Sequence, residues 1–183
     1  GGYFRFYDKK MRNFITRVNS IGRMDTTFAI SKGADGIVYS TDIQNDGKII
    51  LAGEFSSFND VLRRRIARLN TNGSLDSTFT TSQITNTVEV IHAAKIHPDG
   101  RIIIGGVLLD FNNTQTDCLA RLNSNGSHDA SFNNTDQTGA IYCLKIENNQ
   151  KILIGGNFNQ WNNSTVIKYI NRLDPLYGQS ANF

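Results

Sequence analysis

From Ile37 the chain alternates. Ile37, Tyr39, Thr41 and Ile43 interleave with Val38, Ser40 and Asp42, the period of two expected of a β-strand. Asn45-Asp46-Gly47 follows and predicts a tight turn, because these residue types accept positive φ. Lys48 to Ala52 is then almost wholly apolar, as expected for a strand covered on both faces. Small residues at Ala52-Gly53 permit close backbone approach and a sharp exit. A loop runs from Ser56 to Arg65. Ile66 to Phe79 predicts a second hairpin that turns at Thr71-Asn72-Gly73. The unit therefore reads as four short strands in two hairpins.

The same signals recur along the chain. FITRVNSIGRMDTTF, RIARLNTNGSLDSTF, LARLNSNGSHDASF and INRLDPLYGQSANF place arginines at Arg17, Arg68, Arg121 and Arg172, at spacings of 51, 53 and 51. The closing phenylalanines Phe28, Phe79, Phe132 and Phe183 keep the same spacings. In the third copy Asn149-Gln150 replaces Asp-Gly, with Asn149 expected to supply the left-handed residue. Helical solenoids can have units this long, but propeller blades of four strands run at about 40–50 residues. The expected fold class is all-β: β-propeller blades, about 3.5 four-stranded repeats of about 51 residues, forming a portion of a larger propeller. An open stack of hairpins is the alternative.

The expected segments are residues 1–51 (second hairpin of a preceding blade plus first hairpin of the next), 52–104, 105–154 and a partial repeat at 155–183. Residues 1–19 align without a gap on residues 52–70. Gly1-Gly2 thus reads as the Gly pair of a unit whose first hairpin lies outside the sequence. Seven hairpins do not tile whole blades, so the sequence reads as an excerpt of a longer protein. Assembly of one ring from several copies is the rival.

The string Arg68-Leu69-Asn70, Gly73, Leu75-Asp76, Phe79, together with Asp46-Gly47-Lys48-Ile49, Gly53 and Phe55, resembles the delta-60 repeat, a β-propeller repeat family. The resemblance extends over the whole chain. It implies a propeller inside large bacterial surface or secreted proteins, or in phage virion parts of the tail or fibre type. That family has no defined catalytic residues to carry over. The last unit departs from the pattern: Ser180 stands where Asp25, Asp76 and Asp129 stand, and its glycine is displaced to Gly178.

Composition narrows the function classes. Twenty Ile and only 3 Glu favour strands over exposed helix faces. A hydrophobic share of 39%, a charged share of 19% and a mean hydropathy of −0.33 fit a globular domain. A net charge of +3 is too even to imply nucleic acid. No apolar run approaches the roughly 20 residues of a membrane helix. No leader peptide is legible at GGYFRFYDKK. Cys118 and Cys143 cannot build a disulfide scaffold. No cofactor, metal or catalytic residue is expected.

Recurrence separates architecture from function. Arg17, Arg68, Arg121 and Arg172 recur, so they read as pairing with Asp25, Asp76 and Asp129 across their own hairpins or bonding strand-end carbonyls. A basic ring for an acidic ligand is the competing reading. The aspartates read as turn caps. His92 fills the slot of Tyr39 and Tyr142, His128 the apolar slot of Leu75, and His97 sits beside a turn. Cys143 aligns with Ser40 and Ala93, a slot expected to be buried. Cys118 aligns with Arg65 and is expected to be the more exposed thiol. Phe4, Phe55 and Phe158 recur by blade and read as packing between blades.

The loops after the Gly pairs are the least repetitive segments, and loops on one rim of a rigid scaffold commonly carry function. Phe58, Arg63, Arg64, Arg65 and Trp161 are the binding candidates there. The expected role is a non-catalytic structural, adhesion or assembly element. Its partners would be other segments or subunits of a large assembly, or a cell-surface glycan, at a cell surface or on a virion. The alternative is a glycan- or peptide-binding propeller that uses these loops. A hydrolase or lyase site in a central channel is disfavoured, because Ile49 to Leu51 and Ile102 to Ile104, read as inner strands, are aliphatic.

Overall fold

The computed structural model describes residues 1–80, 90–107, 110–111, 114–115, 118–132, 138–160 and 169–176. Strands β1 (Phe6–Tyr7) and β2 (Lys10–Met11) form a small hairpin. The first full sheet is β3 (Val38–Ile43), β4 (Ile49–Gly53) and β7 (Ile66–Leu69), interrupted by a second small hairpin of β5 (Ser57–Phe58) and β6 (Val61–Leu62). The pattern repeats with β8 (Val90–Ile96), β9 (Ile102–Val107) and β12 (Leu119–Leu122) around β10 (Asp110–Phe111) and β11 (Thr114–Gln115). It ends with β13 (Thr138–Ile146), β14 (Ile152–Gln160) and β15 (Ile170–Leu173). Every strand pairing is antiparallel, and no helix occurs among the described residues. The fold is all-β, built of propeller blades.

Each full sheet places its apolar run in the middle: β4 lies between β3 and β7, β9 between β8 and β12, β14 between β13 and β15. The middle strand β9 has a neighbouring sheet on each face and β4 has a sheet on one face and the segment 14–30 on the other, so both faces want apolar residues. Ile50 and Ala52 pack forward with Ile91, Ile102 and Ile104 of the next sheet. Leu51 packs backward with Phe14, Ile15 and Phe28. The next core repeats this pattern around Ile103, Ile141, Ile152 and Ile154. This corrects the inner-strand reading of Ile49 to Leu51 and Ile102 to Ile104. The first strands β8 and β13 contact both the first and the middle strand of the preceding sheet, β3 and β4 for β8, and β8 and β9 for β13.

The predicted fourth strand shrinks to one bridge per unit, Val18 to Met24, Leu69 to Leu75 and Leu122 to His128. After that bridge the aspartate turns inward to its arginine and the chain enters the space between sheets with Phe79 or Phe132, both buried. Pairing cannot continue along that path. The sheets also run across the segment boundaries at 51/52, 104/105 and 154/155, because each blade joins the end of one sequence unit to the start of the next.

Turn chemistry follows the sequence with one correction. Gly47 and Gly100 take φ of 81° and 86° in the first hairpins. In the third copy the turn is kept, but Gln150 rather than Asn149 is the left-handed residue, at φ 67°. Gln150 N–H closes it on Glu147 O.

Candidate functional site

The recurring polar residues form one clamp, repeated three times. In each unit the arginine Nε donates to the aspartate Oδ2 at 2.8 Å: Arg17 to Asp25, Arg68 to Asp76, Arg121 to Asp129. Nη2 reaches the hydroxyl of Thr27, Thr78 or Ser131. The guanidinium lies over Phe28, Phe79 or Phe132, 4.5–4.8 Å from the ring centre. Nη1 leaves its own blade. Arg17 donates to Thr71 O and Arg68 to Ser124 O, each at 2.6 Å, and Arg121 donates to Pro175 O. Each acceptor is the turn of the following unit, so a rigid, planar, five-donor group ties two blades together.

Two further contacts reinforce the junction. Ala29 N–H donates to Asn72 O at 2.6 Å and Thr80 N–H to Asn125 O at 3.0 Å. Gly73 and Gly126 present their bare Cα to Phe28 and Phe79 of the preceding unit. A Cβ there would stand 2.9 and 3.0 Å from the rings, at φ values of 89° and 94°. Glycine is required at these turns both for conformation and for room.

Burial alone would raise the aspartate pKa values. At Asp129 the Ser131 hydroxyl and N–H and the Arg121 guanidinium outweigh it and hold the carboxyl at about 2. At Asp76 burial is outweighed by Thr78, Lys48 and Arg68, which hold the carboxyl far below the ordinary range. At Asp25 the Thr27 bonds dominate and also lower it. These carboxylates are fixed acceptors. Arg172 lies on β15, and its counterpart Ser180 lies outside the described residues.

The rim candidates are not brought together as a binding surface. Phe58 is fully buried, in the core with Phe55 and Val38, and has no surface to offer a ligand. Arg65 adopts φ 66° and wraps its Nη1 onto Glu54 O and Phe55 O. Arg63 folds back on Leu62 O. Arg63 and Arg64 are both half-buried. Asp35 accepts the Ser56 and Ser57 amides and ties this loop to the stretch before β3. The loop hairpins expose the apolar Met11 and Leu62 at equivalent positions, together with the charged Asp8, Lys9, Lys10 and Asp60. Trp161, and the side chain of Phe111, lie outside the described residues.

The thiols are reversed from expectation: Cys118 is buried and Cys143 exposed. Cys118 falls inside the core between the second and third sheets. Ala93 is buried because the third sheet covers its face; among the described residues nothing covers Cys143 in the same way. Ile170, 52% exposed, shows the same effect beside its buried equivalents Ile66 and Leu119. His97 sits at the mouth of an open cavity of about 510 Å³ beside Asp42 and Asp46. Its Nδ1 lies 2.9 Å from Asp99, and Asp42 accepts the Ile96 amide.

One arrangement had no counterpart among the sequence candidates. The register of each first strand slips at the same place, between Val38 and Ser40, Ile91 and Ala93, Ile141 and Cys143. The bulged residues are Tyr39, His92 and Tyr142. Their rings line up across three blades, with centroids 5.4 and 5.1 Å apart, and Tyr39 Oη donates to Glu54 Oε2 at 3.1 Å. The shared aromatic slot was legible in the repeat alignment. That it would be expelled to the surface was not, since a bulge leaves no mark in an alternation pattern.

No curated protein and no solved structure matches the chain. A family described as "Domain of unknown function (DUF5122) beta-propeller" matches residues 44–79 and 97–132. Each match runs from the first-hairpin turn through the clamp arginine and aspartate to the closing phenylalanine. Two of the chain's repeats are therefore similar to those of a β-propeller family.

Proposed function

We propose that this chain is a non-catalytic β-propeller module of a larger bacterial surface, secreted or phage virion protein, serving as a structural, adhesion or assembly element. The clamp carries this reading. The charged pairs that recur in the first three units point the arginine donors into hairpin and neighbour, as at Arg68 to Asp76, Thr78 and Ser124 O. Chemistry that recurs here holds blades in register and turns over no substrate. The surface or virion setting rests on the resemblance to delta-60 repeats. Immunogold electron microscopy of the producing cells or particles, with antibodies to this chain, tests it. Label on the outer surface is expected; label confined to the cell interior contradicts it.

A second reading has one observation in its favour. The loop hairpins of the first two units expose Met11 and Leu62 beside Lys9, Lys10 and Arg63. Exposed apolar side chains with lysines nearby, flanked by Asp8 and Asp60 at the turns, suit capture of a peptide or glycan by the rim.

A further inference from the structure

We propose that Tyr39, His92 and Tyr142 form a binding strip for an extended, neutral oligosaccharide. The proposal goes beyond the module reading and shares no residue with the clamp, so either can fail alone.

A bulge at one fixed position in three successive blades is a backbone device that re-aims a side chain. Here it lifts one ring per blade out of the ladder. Tyr39 stays 45% and Tyr142 53% exposed, although the same chain buries Phe55, Phe58, Phe79 and Phe158 completely. Surface tyrosines present an apolar face and a polar handle together, the two features a sugar ring recognises with its C–H face and its hydroxyls.

The geometry selects the ligand. The Tyr39–His92 pair is tilted at 60° and the His92–Tyr142 pair meets edge to face at 68°. They make a continuous ridge crossing three blades, which suits a chain lying along it. Tyr39 Oη and the Glu54 carboxylate supply hydrogen bonding at one end. Burial lowers the His92 pKa against the opposing pull of Glu54, which favours the neutral imidazole, and the Glu54 carboxylate stands beside the strip. A phosphate or acidic chain finds repulsion there. At the middle of the strip a peptide loses its usual route, strand addition to a free sheet edge. Along β8 that edge is already taken: Ser40 Oγ bonds Ala94 N–H and O, and Asp42 accepts the Ile96 amide.

The test is calorimetric titration of the whole chain with cellohexaose, chitohexaose and mannohexaose, and separately with a proline-rich decapeptide. Saturable binding of at least one hexaose is expected. Tyr142→Ala should weaken it by roughly tenfold or more, as when an exposed aromatic contact is truncated, with the thermal midpoint unchanged. Tyr39→Phe should weaken it less. Absence of binding by all three hexaoses overturns the proposal. So does hexaose binding that survives Tyr142→Ala, or binding of the decapeptide alone. Loss of hexaose binding in Arg63→Ala/Arg64→Ala with Tyr142→Ala unaffected also overturns it, and moves the site to the rim.

Discussion

The clamps at Arg17 and Arg121 share one arginine–aspartate bond of 2.8 Å, yet they sit in different surroundings. The Arg17 side chain is 36% exposed and that of Arg121 2%. Around Arg17 water competes for every donor, and an exposed pair contributes at most about 1 kcal/mol. Around Arg121 water is gone, and the neighbouring Arg101 also contacts Asp129, at 3.2 Å. Repetition in sequence therefore does not mean equal energetic weight. The residue motif sets the geometry; the blades on either side set its worth.

Removing Arg121 should have the largest effect. Arg121→Met leaves buried Asp129 with Arg101 and the Ser131 donors and should destabilise by about 3 kcal/mol, the low end for loss of one member of a buried pair. Urea denaturation measures it; a loss below 1 kcal/mol would mean that burial does not control the clamp. Gly126→Ala comes next, at about 1–3 kcal/mol, because the new Cβ meets Phe79 at a left-handed position. Gly100→Ala is its control: the same kind of φ with no atom within 4 Å should cost less.

Acid should separate the clamps further. The carboxyl of Asp129 is held at about 2, below the roughly 3.9 of an unfolded aspartate. A depressed pKa contributes stability that is present above the unfolded value and is lost as pH falls towards the folded one. Stability should therefore drop between about pH 4 and pH 2, and Asp129→Asn should flatten that part of the profile. Arg17→Met should cost less than about 1 kcal/mol. The smallest perturbation is chemical: Cys143 should react with a thiol reagent in the native state and Cys118 only on unfolding. The reverse order would contradict the placement of the sheets.

Much of the fold was legible because it is written in local signals. Asp46-Gly47 and Asn72-Gly73 name their turns, and Ile49 to Ala52 names a doubly covered strand. The eight-residue spacing from Arg68 to Asp76 names a pair across a hairpin. What was not legible depends on neighbours. No local pattern says that the Arg68 guanidinium continues to Ser124 O, 56 residues away. Alignment put Cys143 beside Ala93, but burial at that slot needs a following sheet. Ile43, 66% exposed where its equivalent Ile96 is packed, marks the same effect at the other end. Phe58 looked like a rim residue because it lies in a loop by sequence, yet it turns into the core. Tyr39, His92 and Tyr142 shared a slot in the alignment, and only the bulges showed that the slot faces outward.

The central claim is that successive blades are locked by a guanidinium that crosses from one unit to the next. Hydrogen exchange at the Thr80 amide reads it most directly, because that N–H bonds Asn125 O across the junction that Arg68 clamps. Slow exchange in the native protein is expected, accelerated in Arg68→Met while amides within β13 and β14 stay protected. Fast exchange at Thr80 in the unaltered chain, or no change in Arg68→Met, would contradict it.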